Sequence, residues 1–293
     1  MNTLIGTGVA LVTPFTEAVE VDHPALERLV EFNIANGTDY LVISGTTGES
    51  VTITPEEKKA IIETVKKANA GRLPLVLGIG GNNTHAAISE INATDLTDFT
   101  AILSVTPYYS KPTQEGLYQH FKAISEACPV PIIVYNVPGR TSKNMLPETT
   151  LRLAQDFENI VAVKEAGNNV QQYLELLKDK PDDFLVISGD DDLALGVVLA
   201  GGAGVISVIG QGLPKEFSSM INYGLKGDAK NAYPLHFKLM DTTSLIFAEN
   251  NPAGIKAVLS ELGICRSTVR LPLVEATEGL KNQIKEALKV IKS

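Results

Sequence analysis

Eight short apolar runs recur along the 293-residue chain, and their spacing restricts the fold more than any other feature. They are GVALVTPF (8–15), YLVISG (40–45), LPLVLGIG (73–80), AILSVTP (101–107), PIIVYNV (131–137), IVAVKEA (160–166), FLVISGD (184–190) and GVISVIG (204–210), with starts about 28 residues apart on average. That interval matches a strand–helix–strand unit of roughly 30 residues. Runs without apolar–polar alternation suit strands buried on both faces, as in parallel sheets. Parallel neighbours need a crossover long enough for a helix. The intervening stretches qualify. TPEEKKAIIETVKKANAG has a capping Thr54, Pro55 at the first helical position, early acids, later lysines and a closing Gly71.

Eight alternating units predict a (β/α)8 TIM barrel of the α/β class. A doubly wound open sheet is the competing arrangement, but it usually has fewer strands and a glycine-rich turn after the first one. Here that turn reads VTPFTEAVEVD. The segments AYPLHFKLMDTTSLIFAE, NPAGIKAVLSELG and LVEATEGLKNQIKEALKVIK contain no strand run and read as a three-helix C-terminal extension. No Pro/Gly/Ser linker precedes them, so the division expected is a barrel over 1–228 with an extension over 229–293 packed against it.

Net charge is −9, with the basic residues scattered, which argues against nucleic acid or an anionic membrane as partner. No apolar run approaches the ~20 residues of a membrane helix, and the N-terminus lacks the basic region of a secretory signal. Cys128 and Cys265 have neither metal-site nor disulfide-framework spacing. A cytoplasmic protein is expected.

In a (β/α)8 barrel, chemistry collects where the strands end. SGTTGES, TPYYSKP, YNVPGRT and SGDDD all fall there, and so does Lys164, which continues the run Ile160–Val163 without a turn signal. With Val161 and Val163 facing the helices, Lys164 faces the barrel mouth. A buried charged amine is costly, burial favours its neutral form, and a neutral lysine adds to carbonyls to form Schiff bases. Its ordinary alternative is a lysine paired with a carboxylate or reaching solvent along its stem.

The turn GTTGE at 45–49 can present successive backbone N–H groups as an anion nest at Thr46 and Thr47. A keto acid such as pyruvate would suit a nest beside an amine, although such turns also occur simply to enter a helix. Schiff-base chemistry moves protons, and the four histidines lie outside the strand-end clusters. Tyr108, Tyr109 and Tyr135 are therefore the available acids and bases, if they are not packing residues. Arg140 can hold a second carboxylate bidentately or be a surface arginine. LGIGGN (77–82) lacks the surroundings of a dinucleotide fingerprint. AGGAGVIS (200–207) reads as a tight turn and Asp190–Asp192 as helix-capping acids, so neither metal nor cofactor is called for.

GTTGES, TPYY, YNVPGRT, VAVKEA, SGDD and GVISV, in this order across nearly the whole chain, resemble the dihydrodipicolinate synthase family within the N-acetylneuraminate lyase superfamily. The resemblance implies a class I aldolase-like lyase in lysine and diaminopimelate biosynthesis, condensing pyruvate with aspartate semialdehyde. It makes Lys164 the Schiff-base residue and Tyr135 the proton donor and acceptor. Thr46 becomes the hydroxyl linking Tyr135 to Tyr109, which in the family enters the neighbouring subunit's site. Thr47, Ile206 and Gly189 fall at pyruvate-binding positions, and Arg140 at the semialdehyde carboxylate. The family is homotetrameric, a dimer of tight dimers.

Sialic acid lyases typically read GSTGE and lack the arginine after YN.P, which disfavours another pyruvate aldolase acting on a sugar acid. A catalytically silent ligand-binding barrel would not need this set of groups intact. One departure stands out. Lysine-inhibited members carry a histidine and a glutamate where this chain has Lys58 and Ala86, with Pro55 where a second histidine can stand, although Ser50, Asn82 and Tyr108 match. Repulsion by Lys58 implies weak or absent feedback inhibition by lysine.

Overall fold

The computed structural model describes residues 2–292; the outer bounds of the two expected segments, Met1 and Ser293, lie outside them. Eight parallel strands close into one barrel in chain order. They are β1 (Gly6–Ala10), β2 (Tyr40–Ile43), β3 (Leu75–Gly78), β4 (Ala101–Val105), β5 (Ile132–Asn136), β6 (Ile160–Glu165), β7 (Leu185–Ser188) and β8 (Gly204–Ser207). Every expected strand is present, most of them trimmed at the ends.

The first strand is displaced. It begins at Gly6 and ends at Ala10, so Leu11–Phe15 lie beyond the ladder although all five are buried. Tertiary bonds replace the ladder there: Leu11 N–H donates to the Val42 carbonyl at 3.0 Å and Val12 N–H to Gln211 Oε1 at 2.8 Å. Burial alone gave this segment its strand-like composition.

The helices are α1 (His23–Ala35), α2 (Pro55–Asn69), α3 (Thr84–Ala93), α4 (Gln114–Ala127), α5 (Pro138–Thr141), α6 (Pro147–Asp156), α7 (Val170–Asp179), α8 (Ala194–Leu199), α9 (Pro214–Leu225), α10 (Ala229–Phe247), α11 (Ala253–Glu261) and α12 (Glu278–Lys292). The start of α2 forms as its sequence dictates. Thr54 Oγ1 accepts from Glu57 N–H at 3.2 Å while Glu57 Oε2 accepts from Thr54 N–H at 2.9 Å, a reciprocal capping box. Ala70, rather than Gly71, is the left-handed residue that ends it (φ 47°), with Gly71 following at φ 72°.

Two apolar layers hold the barrel. An inner one contains Tyr40, Val42, Leu103, Ile133, Ala162 and Ile206; an outer one lies between strands and helices and includes Val9, Leu41, Leu77, Val134 and Val163. Val161, expected to face outward, belongs to the inner group. The pairing between β5 and β6 slips there, Ile132 opposing Ile160 and Ile133 opposing Ala162, so Val161 is an extra residue that breaks strict alternation. Alternation resumes at Ala162 and carries Lys164 inward.

Of the three C-terminal helices, α10 packs on α9 and α8, and α12 on α10 and α11. The segment after α11 is joined to the barrel by Arg270, whose guanidinium bonds both Glu57 oxygens at 2.5 and 2.7 Å.

Candidate active site

Lys164 stands on β6 directly opposite Tyr135 on β5. Both are buried, and Lys164 Nζ lies 4.4 Å from the Tyr135 ring centroid. Room for the lysine stem comes from the residue just after β7: a Cβ on Gly189 would sit 3.0 Å from Lys164 Cε and 2.6 Å from the Ala166 methyl. No carboxylate among the described residues comes within ion-pair distance of Lys164. The nearby acids are committed elsewhere. Asp190 Oδ2 accepts from Asn168 N–H at 2.9 Å and from the Tyr173 hydroxyl at 3.1 Å. Asp191 Oδ2 accepts from Val208 N–H at 3.0 Å and Ile209 N–H at 2.9 Å. Burial pushes Asp191 up to about 6, against those donors and the positive charge of Lys164.

The reading of Asp190–Asp192 as caps for the next helix is thus corrected. Leu193 precedes α8 with no side-chain cap, and Asp191 instead secures the loop after β8. Capping potential was legible in the sequence, but its partner was not.

Lys164 opens into a cavity of about 800 Å³ also lined by Thr46, Thr47, Tyr135, Arg140, Gly189 and Asn251. Thr46 and Thr47 lie in a tight 3-10 turn, Thr46–Gly48, after β2. Their backbone N–H groups find no acceptor among the described residues, which suits an anion nest. Arg140 is exposed at the rim on α5 and forms no ion pair among the described residues.

Three expected positions behave differently. Ile206 is fully buried opposite Gly8 on β1, within the inner apolar layer, and is not among the residues lining the cavity. Gly189 lines the cavity, but its N–H donates to the Glu165 carbonyl at 2.6 Å, so its visible contribution is clearance for Lys164. Tyr109 is 89% exposed with φ 71°, a costly conformation for an aromatic residue, and lies outside its own chain's cavity. Thr46 and Tyr135 share the cavity, yet no hydrogen bond joins their hydroxyls, so the expected link from Tyr135 to Tyr109 is not seen among the described residues.

A second cavity, about 840 Å³, shares Thr46 and Tyr135 with the first and is lined by Ser50, Pro55, Lys58 and Tyr108. Lys58 Nζ donates there to Glu90 Oε1 at 2.5 Å and to the Gly78 carbonyl at 2.7 Å. Repulsion by Lys58 is therefore weakened by Glu90; occupation of the site by this pair is the better description.

Sequence reasoning missed the residues that the C-terminal segment brings to the site. Asn251 Nδ2 donates to Thr47 Oγ1 at 2.9 Å. Lys256, fully buried on α11, donates to Glu49 Oε1 at 2.5 Å and to the Thr268 carbonyl at 2.8 Å. The signal for Lys256 was available, because AGIKAVL is as apolar a setting for a lysine as IVAVKEA. Among the described residues no group of three or more His, Cys, Asp or Glu could hold a metal.

The profile of the Dihydrodipicolinate synthetase family matches residues 3–291. The 4-hydroxy-tetrahydrodipicolinate synthase of Flavobacterium psychrophilum is 55% identical over 284 residues, covering 97% of each chain. Among solved structures, the Aquifex aeolicus dihydrodipicolinate synthase superposes with a TM-score of 0.95 at 42% identity, covering 99% of this chain and 98% of that one. The chloride-inhibited Acinetobacter baumannii dihydrodipicolinate synthase complexed with pyruvate gives 0.96 at 39%, covering 99% of both chains. With this sequence likeness running through barrel and extension alike, the chain belongs to the dihydrodipicolinate synthase family.

Proposed function

We infer that the chain catalyses the 4-hydroxy-tetrahydrodipicolinate synthase reaction, joining pyruvate to L-aspartate 4-semialdehyde through a Schiff base on Lys164. The observation that carries this reading is a buried lysine in a polar cavity with no carboxylate partner among the described residues. A structural lysine buried to this degree would be ion-paired, as Lys256 is.

The carboxylate of pyruvate enters the Thr46–Thr47 turn, and its keto carbon meets Lys164 Nζ. Addition gives a carbinolamine; loss of water gives the imine, and removal of a methyl proton gives the enamine. Tyr135, beside the amine, is the group placed to move those protons. The enamine carbon attacks the semialdehyde carbonyl, while Arg140 at the rim binds the semialdehyde carboxylate through its guanidinium fork. The amino group of the second substrate then displaces Lys164 and closes the ring, so the enzyme amine is regenerated.

Residues 1–228 form the catalytic barrel in this reading and 229–293 the packed extension. Family resemblance supports a cytoplasmic homotetramer. The outward Tyr109, held in a backbone conformation worth about 1–3 kcal/mol of strain, suits insertion into a neighbouring subunit. Exposed Val170, Leu174, Phe237 and Met240 offer apolar surface for a second contact. Among the described residues no helix is long and apolar enough to cross a membrane.

Borohydride reduction in the presence of pyruvate, followed by intact mass and peptide mapping, tests the mechanism. One adduct at Lys164 is expected, and none in Lys164→Ala. Condensation with N-acetylmannosamine but not with aspartate semialdehyde would move the chain to a sugar-acid aldolase.

A further inference from the structure

We propose that Asn251, contributed by the C-terminal extension, is a positioning residue for the keto-acid carboxylate, because it fixes the direction of the Thr47 hydroxyl proton. The proposal rests on the Schiff-base reading above and adds a residue to it.

A threonine hydroxyl has one proton and two lone pairs. The Asn251 amide donates to Thr47 Oγ1 at 2.9 Å and so occupies a lone pair. The proton must then go to an acceptor elsewhere. No other described side chain or backbone group bonds Thr47 Oγ1, and Thr47 lines the cavity that holds Lys164. The acceptor that completes the arrangement is the carboxylate of the substrate, seated on the adjoining backbone N–H groups. Without Asn251 the hydroxyl is free to rotate, and part of the carboxylate's binding geometry is lost.

Asn251 is built for a fixed task. It is 6% exposed, and its Oδ1 is buried with no hydrogen-bond partner among the described residues. Unpaired buried acceptors are uncommon and ask for a reason; here the amide is held in place by what its N–H side does. Both flanks of the contact are anchored as well. Glu49, two residues after Thr47, bonds Lys256, five residues after Asn251. Glu49 Oε2 also accepts from Arg270 N–H at 2.9 Å. The extension therefore grips the turn at two points, one fixing its backbone and the other aiming its hydroxyl.

The test is borohydride trapping at Lys164 across a pyruvate series, read by intact mass, with steady-state kinetics on the same proteins. Asn251→Ala should raise the pyruvate concentration for half-maximal trapping about tenfold, the worth of one well-made bond to a charged group. Turnover at saturating pyruvate and KM for the semialdehyde should change far less. Asn251→Asp keeps the shape but replaces the donor by an acceptor that captures the Thr47 proton, so it should be at least as impaired. Combining Asn251→Ala with Thr47→Val should be no worse than Thr47→Val alone, since one acts through the other.

A wild-type saturation curve for Asn251→Asp, or additive losses in the double variant, would overturn the proposal. If Asn251→Ala fails to fold, the Asn251→Asp saturation curve, and Asn251→Asp combined with Thr47→Val against Thr47→Val alone, still decide. Absence of any adduct in the unaltered chain would bring down the Schiff-base reading itself, and this inference with it. A normal wild-type adduct with unshifted variant curves would sink this inference alone.

Discussion

Replacing Lys256 by methionine should destabilise the fold by about 3–5 kcal/mol, whereas replacing Lys256 and Glu49 together should cost much less. Lys256 and Glu49 are 0% and 1% exposed at their side chains and 2.5 Å apart. At an effective dielectric near 20, that separation gives roughly 6–7 kcal/mol of attraction. Removing two ions from water costs several kcal/mol each, so the intact pair is close to break-even against apolar replacements. The balance shows in Lys256 itself, whose pKa is lowered by burial even though Glu49 pulls it upward. Lys256→Met leaves the Glu49 carboxylate buried with Arg270 N–H as its remaining hydrogen-bond donor, and the full desolvation cost reappears. Adding Glu49→Gln removes the charge and most of that cost. Urea unfolding at one fixed protein concentration measures both, read as the shift in midpoint at constant m. A loss below about 1 kcal/mol in Lys256→Met, or a double variant as unstable as the two singles summed, would refute the reasoning.

Arg140→Ala should raise KM for the semialdehyde and spare pyruvate trapping; a defect confined to pyruvate would contradict its place at the rim. Tyr135→Phe should slow turnover by roughly 10²–10⁴-fold while still allowing some adduct to form, which stopped-flow and mass analysis of the same sample would separate. Burial pushes Glu165 up to about 7, despite the amides of Asn136 and Gln172. Between its ordinary 4.5 and that value the native state holds the extra proton, so this contribution to stability is complete at low pH and is lost as pH rises through about 7. Glu165→Gln should flatten the decline between about pH 4.5 and pH 7, by roughly 3 kcal/mol at most, in thermal or urea midpoints. Steady-state assays should show no inhibition by lysine below millimolar concentrations, because the Lys58–Glu90 pair occupies the Gly78 carbonyl; sub-millimolar inhibition would overturn this.

The barrel was legible because period and capping are local signals. Eight apolar runs separated by helical stretches leave few ways to bury both faces of each strand, and Thr54, Pro55 and Glu57 announce the start of α2 on their own. Boundaries failed where a segment is buried without being paired, as at Leu11–Phe15, since composition reports burial and not hydrogen bonding. Val161 failed for a related reason: an extra residue in β6 shifts the pleat, and nothing in IVAVKE marks it. The polar groups from strand ends were found because the fold gathers them at one rim. Asn251 and Lys256 escaped because their partners, Thr47 and Glu49, lie more than 200 residues away in sequence.

That omission bears on the chemistry. Lys164 and Lys256 look alike in sequence, each a lone cation in an apolar run, and in both cases burial raises the same question of what compensates the charge. The fold answers it in opposite ways. Lys256 is given a carboxylate, a carbonyl and the ring of Phe15, with Nζ 4.2 Å from its centroid, and becomes structural. Lys164 is given a tyrosine ring, a glycine that clears its path and acids already bonded to other groups. Placing a carboxylate against Lys164 would stabilise it and take away its availability to a ketone. In the proposed mechanism, nucleophilicity would consist of the absence of a carboxylate partner among the described residues, while the turn that would receive the substrate is held by the lysine that has one.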